Sequence, residues 1–358
     1  MRLEIDADTA QGLRERLVLE VEGKMGRGLP GPVRDAFLKV PRHVFVSTSG
    51  VEPQAIYSDQ TLVVGADEQS CVTSSTMPIL MAWMLLHLDV QEGHRVMEVG
   101  TGTGYNAAVL AELTGRGDAV HTIEIVSRVA KASRGSLGRA GYDGVHVYSG
   151  NGKRGIPAHA PYDRIVATTA VVDIPPEWAQ QLATGGLLVA PLALDAHEPE
   201  TQATVRLVRE GKGLVGTFEH PTCVSFILMT DMDAPHPRCQ DDDIGLGQRL
   251  TETVWRQWQA GDNREWRGLT LEEVNAALVL GSLELATGKL ARGTAPADAA
   301  EAVRGLWESL GRPTLGQFAI QSPGNCVPTD GPTWVLRESP SLVVTLGTRD
   351  RVGGSLTR

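Results

Sequence analysis

The chain has no excess of positive charge, no paired cysteines and no long apolar run, and each lack removes a class of function. Lys and Arg number 33 against 43 Asp and Glu, for a net charge of -10 and a pI near 5.4. No global basic field therefore draws the protein to nucleic acid or an anionic membrane, which leaves room only for a local basic patch. The four cysteines, Cys71, Cys223, Cys239 and Cys326, lie far apart and form no CxxC pair. Neither a disulfide framework nor a zinc site is expected, and no metal is assigned. No window approaches the ~20 apolar residues that a membrane helix needs. The opening MRLEIDADTAQG lacks the basic-then-apolar order of a secretory signal. These absences point to a soluble cytoplasmic protein.

What is present is an ordinary globular composition, 42% apolar over 358 residues, enough for two domains or one enlarged one. Residues 8 to 24 space Leu13, Leu17 and Val21 as a helix, with Asp8 and Thr9 as caps. PVRDAFLKV reads as a second helix with Pro32 in its first turn, ended by Pro41. Residues 47 to 78 read as loop-rich. ILMAWMLLHLDV, apolar almost all round, reads as a buried helix. From 95 to 193, the runs RVMEV, AVHTI, VHVYS, RIVAT and GLLVAPL alternate with helical stretches near 105–114, 127–139 and 176–183. Alternation at this spacing predicts βαβ units and a parallel sheet. TVRLVRE and CVSFILM are expected to close it with antiparallel strands. DMDAPHPRCQDDD reads as a linker. Three helices, around 246–259, 270–287 and 297–310, and a short β section near LGQFAIQ, TWVLRE and SLVVTLG follow. The expected architecture is α/β, with an N-terminal helical part over 1–78, the sheet domain over 79–230 and an α+β extension over 231–358.

One loop carries chemistry. Glu98-Val99-Gly100-Thr101-Gly102-Thr103-Gly104-Tyr105 leaves the strand RVMEV and enters the helix NAAVLAEL. Its glycines permit a sharp turn and close approach to a ligand. The dinucleotide fingerprint G-x-G-x-x-G fails, because its third glycine position is Tyr105, and no Gly-Lys-Ser/Thr ending supports a phosphate loop. E-x-G-x-G-x-G is the pattern of an S-adenosylmethionine loop. Glu124 ends the next strand, about twenty residues after the glycines, where an acid can accept hydrogen bonds from both ribose hydroxyls. Glu98 is placed to hold the cofactor's ammonium, directly or through water. Gly150-Asn151-Gly152 after the third strand is either an adenine contact or an ordinary Asn-Gly turn. The expected contacts extend to Thr101, Tyr105, Asn106 and Ile125.

Residues 36 to 193 resemble the protein-L-isoaspartate O-methyltransferase family, whose members share a Rossmann-like class I methyltransferase sheet. VPRHVFV (40 to 46) is similar to its Val-Pro-Arg-His/Glu-Phe-Val segment, and Tyr57 and Asp59 to its Tyr-x-Asp. GHRVMEVGTGTGYNAAVLAEL, VHTIEI, AGYDGVHVYSGNG, APYDRIV and LATGGLLVAPL follow in the family's order. Two stretches depart from it. The family's Gly-Gln-Thr-Ile-Ser-x-Pro is here Val72-Thr73-Ser74-Ser75-Thr76-Met77-Pro78, which puts Thr76 where the family has serine. Its Gly-Asp-Gly is here Gly150-Asn151-Gly152. The long C-terminal extension, the Ser-Ser-Thr-x-Pro loop and YDRIVATTAVVDIPPEW resemble extended relatives that act in the biosynthesis of ribosomally made, modified peptides.

That resemblance implies S-adenosyl-L-methionine as cofactor, S-adenosyl-L-homocysteine as product, and a peptide or protein bearing Asp or isoAsp as substrate. A carboxylate is ionised near neutral pH, its reference pKa being about 4, so no strong base is required and His43 reads as structural. Catalysis needs alignment and exclusion of water. Hydroxyls of Thr73, Ser74, Ser75 and Thr76 suit that task, or cap the helix at Pro78 as a polar turn. The leading expectation is esterification of an aspartyl side chain of a precursor peptide, followed by closure to succinimide and opening to isoaspartate. Repair of L-isoaspartyl residues in damaged proteins, a small-molecule methyltransferase and a non-catalytic cofactor-binding module are the alternatives. A monomer or homodimer is expected, the C-terminal helices offering apolar runs for a peptide groove or a dimer face.

Overall fold

The computed structural model describes residues 5–46, 51–64, 73–194, 201–220, 226–229, 249–254, 256, 266, 269–292, 294–321, 332–338 and 341–346. The four cysteines, Val72, the expected linker DMDAPHPRCQDDD and the C-terminal tail lie outside these residues. Internal contacts divide the chain into two units. One holds the described residues up to Thr168 with Gln181–Leu187; the other holds Thr169–Gln180, the described residues of Leu188–Met229 and those after Cys239.

In the first unit, α1 (Ala7–Met25) begins on Asp6, whose carboxylate accepts the Thr9 amide at 2.9 Å. Asp8 and Thr9, the expected caps, lie inside the first turn, because a cap must precede the first helical residue and bond the amide two or three places on. α2 (Gly31–Lys39) carries Pro32 in its first turn, and α3 (Arg42–Phe45) is the VPRHVF segment, followed by α4 (Pro53–Ile56). The stretch expected to be loop-rich contains a ladder: β1 (Leu62–Val64) pairs antiparallel with β2 (Thr73–Ser75), Val64 opposite Thr73 and Leu62 opposite Ser75. The serines and threonines hid this strand, because turn and strand share those residue types. α5 (Pro78–Leu88) buries residues on every side, among them Leu80, Met81, Ala82, Met84, Leu85 and Leu88.

β3 (Val96–Val99), α6 (Tyr105–Thr114), β4 (Val120–Glu124), α7 (Ser127–Arg139), β5 (His146–Ser149) and β6 (Tyr162–Ala167) complete the unit's core. The strands lie in the order β5-β4-β3-β6, all parallel, with Val96 opposite both Val120 and Arg164. Every residue of β3 and β4 is buried, as expected of a parallel sheet covered on both faces. The chain winds outward through β4 and β5, then returns across β3 to β6. The order of winding reverses at β3, and open α/β sheets bind ligands beyond the carboxyl ends of strands at such a point.

β7 (Leu182–Ala193) gives 182–187 to the first unit and 188–193 to the second. The second unit is antiparallel: β8 (Gln202–Glu210), β9 (Gly213–His220), β10 (Phe318–Gln321), β12 (Ser341–Leu346) and β11 (Thr333–Glu338) lie in that spatial order. TVRLVRE is in β8 as expected. CVSFILM is not its partner; within its described residues it makes one parallel bridge, Leu228 to Ala170. The partner is GLVGTFEH, disguised by its glycines: a Cβ on Gly216 would collide with the Arg206 carbonyl across the hairpin. The hairpin turns at Gly211 with φ 57°. Helices Leu271–Ala286 and Pro296–Ser309 stand where the spacing placed them, and residues 249–254 are helical. Thr270 and Glu273 cap the first of these reciprocally. Its apolar run, read as a groove or dimer face, is instead interior: Val279 and Leu280 are 0% exposed, and Gly281 lets Val303 approach closely.

Candidate active site

The carboxyl ends of the parallel strands gather the glycine loop, Glu124, Gly150 and Thr168. Gly100, Gly102 and Gly104 all take positive φ, 97°, 52° and 89°, where L side chains are strained. The amides of Gly100 and Thr101 reach the Ile123 carbonyl at 2.9 and 3.3 Å, and that of Gly104 closes a turn onto Thr101. Glu124, 9% exposed, receives Gly102 N–H on one oxygen at 3.0 Å and Val126 N–H on the other at 3.1 Å. The acid is thus locked to the loop it faces, with a lone pair left on each oxygen. Ile125, half-buried, follows it. Gly150 bonds the Glu124 carbonyl at 2.9 Å, and Asn151 caps the turn after β5 by accepting Lys153 N–H. Asn151 is therefore a turn residue, in a segment tied to the backbone of the acid through Gly150.

Glu98 stands behind the loop, 0% exposed. Thr122 donates to one of its oxygens at 2.7 Å and Asn106 to the other at 2.7 Å, while Thr101 and Thr122 share a hydroxyl bond at 2.7 Å. Burial pushes its carboxyl up to about 7 against those bonds, with Glu124 adding repulsion. Asn106, half-buried, is the less buried of the two donors to this carboxyl. Tyr105 is buried, packing on Phe37 and Phe45 at centroid distances of 6.5 and 5.8 Å.

The hydroxyl stretch crosses over this loop. The Ser74 carbonyl lies 3.3 Å from where a Gly102 Cβ would be, so the hydroxyl stretch and the glycine loop touch. Thr73, Ser74 and Thr76 are half-buried; Ser75 is 3% exposed, and its hydroxyl has no partner among the described residues. Asp59 fastens the following helix, accepting Ile79 N–H at 2.8 Å and Lys24 Nζ at 2.9 Å. The cap at Pro78 thus comes from Asp59, with none from the residue before the helix, Met77. Tyr57 donates to or accepts from His43 Nδ1 at 2.6 Å, and burial, then Arg14, holds His43 below its ordinary pKa. Burial thus favours the neutral form of His43, whose Nδ1 is engaged by Tyr57.

Two threonines outside any motif, Thr122 and Thr168, and Arg42 inside VPRHVFV support these loops. Thr122 ties Glu98 to the loop, and the Thr168 hydroxyl donates to the Gly100 carbonyl at 2.5 Å. Each is a threonine in or at the end of an apolar strand, and that was the available signal. Arg42, 0% exposed, donates to the carbonyls of Gln60 at 3.0 Å, Thr76 at 3.3 Å and Ser58 at 3.5 Å, and lies 5.5 Å over the Tyr105 ring. A buried guanidinium thus joins the backbone at residues 58, 60 and 76.

A family model described as protein-L-isoaspartate(D-aspartate) O-methyltransferase matches residues 16–234, more than half of the chain. The chain belongs to that family. It is an S-adenosyl-L-methionine-dependent carboxyl O-methyltransferase. The protein-L-isoaspartate O-methyltransferase of Methanosarcina mazei is 38% identical over 198 residues, covering 54% of this chain and 79% of that protein. That of Methanoculleus marisnigri is 38% identical over 210 residues, 58% of this chain and 88% of the other. A solved structure of a protein-L-isoaspartate O-methyltransferase superposes with a TM-score of 0.58 at 21% identity, covering 94% of this chain and 100% of its own. That likeness speaks for the fold, and it extends beyond the segment that the sequence relatives share with the enzyme. Among the described residues, no helix is long and apolar enough to cross a membrane, and no cluster of His, Cys, Asp or Glu is arranged to hold a metal.

Proposed function

We propose that the enzyme methylates the free α-carboxylate of L-isoaspartyl residues in damaged proteins and peptides, the first step of their repair. The observation that carries this reading is the family match over 16–234 together with relatives of that name at 38% identity. The residues fit the cofactor. Three left-handed glycines bring bare backbone to the strand ends, Glu124 offers each ribose hydroxyl an oxygen, and Gly150 and Asn151 border the adenine end. Asn106, backed by Glu98, faces the cofactor's amino acid end. Bound there, S-adenosylmethionine supplies a sulfonium methyl open to in-line displacement.

The chain's own residues then have to hold a carboxylate oxygen against that methyl. The acceptor arrives ionised, so no proton has to be removed. Ser75, with a buried hydroxyl that has no partner among the described residues, and Thr76, fixed through its carbonyl by Arg42, orient the acceptor. Hydroxyls align an anion without neutralising it, which keeps it nucleophilic. The buried surroundings exclude the water that would blunt it.

Modification of a ribosomally made precursor peptide is the second reading, favoured by the hydroxyl-rich sequence Thr73-Ser74-Ser75-Thr76 at the reaction loop. Its other support, the long extension, is weaker, because a protein called a protein-L-isoaspartate O-methyltransferase matches 94% of this chain in fold. Incubation with an isoaspartyl peptide, its aspartyl twin and a precursor peptide encoded nearby, followed by mass, separates the two. Repair predicts one added methyl on the isoaspartyl peptide alone. Loss of water at one aspartate of the precursor, with the isoaspartyl peptide untouched, overturns it.

A further inference from the structure

Glu98 in β3 is fully buried, and among the described residues no cation bonds it. Thr122 from β4 and Asn106 from α6 each hold one of its oxygens at 2.7 Å. Glu124, at the end of β4, is the charged group that acts on it, and it repels. Two neutral donors do not offset the removal of a carboxylate from water, so a group placed like this keeps a proton until a cation comes near.

The side chains around Glu98 can accommodate that proton. Thr122 shares a 2.7 Å hydroxyl bond with Thr101, in which either oxygen can be the donor. With Glu98 ionised, Thr101 donates to Thr122 and Thr122 to Glu98. With Glu98 protonated, the two hydroxyls turn, and the chain runs from Glu98 through Thr122 to Thr101. Each of these bonds is kept in both states and no heavy atom has to move. Burial lifts the Glu98 carboxyl to about 7, where both states are accessible near neutral pH.

Asn106 is the other end of this chain. It is the second residue of α6, directly after the glycine loop. Its amide nitrogen donates to Glu98, which turns its carbonyl oxygen the other way. Among the described residues that oxygen makes no hydrogen bond. A carbonyl oxygen accepts and never donates, so it suits an ammonium and not a carboxylate. An amide whose N–H is held by an anion is polarised, which makes its oxygen the better acceptor. Ionised Glu98 therefore favours a cation at Asn106, and a cation at Asn106 favours ionised Glu98 to the same extent.

We infer that Glu98 is a positioning residue acting through Asn106, protonated before the cofactor binds and giving up that proton as Asn106 accepts the cofactor's α-ammonium. The inference rests on the cofactor placement proposed above. The proton passes to solvent, and no covalent bond of the cofactor changes. Between pH 6 and 7 the ammonium arrives charged, its reference pKa being about 8, so the proton released is that of the carboxyl. Affinity for the cofactor then tightens as pH rises to about 7 and levels off above it.

The test is calorimetric binding of S-adenosylhomocysteine to the full chain, run at each pH in buffers of different ionisation enthalpy to count protons. About 0.9 proton should leave at pH 6, about 0.5 at pH 7 and about 0.1 at pH 8. Affinity should rise about fivefold from pH 6 to 7 and about twofold from 7 to 8. S-adenosylhomocysteine lacking its α-amino group should release no proton and bind equally across this range. Glu98→Gln should bind S-adenosylhomocysteine with a flat pH profile and no release, and Asn106→Leu should lose most of the release. Equal proton counts for the two ligands on the parent protein overturn the inference even if the variants fail to fold. An unchanged count in Glu98→Gln, or full release in Asn106→Leu, overturns it too. Absence of S-adenosylhomocysteine binding at every pH overturns the cofactor placement instead.

Discussion

Glu98 ties the cofactor loop to the stability of the whole unit, and its replacement by glutamine measures that tie. The carboxyl is fully buried, with its pKa lifted from 4.5 to about 7 by burial, against the bonds from Thr122 and Asn106. A carboxyl whose pKa is raised by folding holds its proton more tightly in the folded state. Its stabilising effect is therefore complete below about pH 4.5 and is lost as pH rises through 7. At about 1.4 kcal/mol per unit, a shift of that size corresponds to a loss of about 3 kcal/mol across the window, most of it between pH 5 and 7. Glutamine keeps an acceptor for Thr122 or Asn106 and cannot ionise, so the Glu98→Gln protein lacks this loss. Thermal unfolding of both proteins from pH 5 to 8 should show the variant gaining on the parent by roughly 5–10 °C towards the alkaline end. Saturating S-adenosylhomocysteine should shrink the gap, because an ammonium brought up to Asn106 favours the ionised carboxylate behind it. Parallel pH curves for the two proteins would refute the buried, proton-holding Glu98 and with it the relay through Asn106.

Four further outcomes follow from the same geometry. Thr76→Ala should lower kcat by tenfold or more with little change in cofactor affinity, measured by steady-state kinetics and calorimetry, since its proposed role is to orient acceptor and not donor. Gly102→Ala places a side chain at φ 52° against the Ser74 carbonyl; strain of about 1–2 kcal/mol should appear as roughly tenfold or more weaker S-adenosylhomocysteine binding. Arg42→Met strips a donor from the carbonyls of Ser58, Gln60 and Thr76. At about 1–3 kcal/mol for each buried group left unpaired, it should lower the melting temperature and raise the peptide KM, whereas Arg42→Lys should rescue part of both. His121 lies 4.3 Å from the His159 ring and 4.9 Å from that of His146, and burial, then those imidazoles, lowers its pKa to about 4. A histidine depressed in the folded state loses stability as pH falls from about 6.5 towards 4, and His121→Phe should flatten that acid limb in thermal unfolding.

Much of the first unit was legible because its parallel sheet demands it. β3 and β4 are buried on both faces, so they read as unbroken apolar runs, and the glycines between β3 and α6 are required by backbone angles that no other residue takes as readily. Glu124 was legible for the same reason: an acid ending a buried strand is too costly unless donors meet it, and the Gly102 and Val126 amides do. What stayed hidden depends on tertiary contact. Thr122 and Thr168 have roles only because Glu98 and Gly100 lie across from them. β9 hid behind Gly216, a glycine imposed by the neighbouring strand and not by its own. Arg42 was visible inside VPRHVFV, yet its task appears only when residues 58, 60 and 76 are seen to converge on it.

The C-terminal half shows how far length can mislead. An extension longer than the sequence relatives share invited a new function, and apolar helices within it invited a groove. Val279 and Leu280 turn those helices inward, so the apolar pattern records a core, and a fold matched over 94% of the chain shows that an extension of this kind accompanies a protein bearing the family's own name.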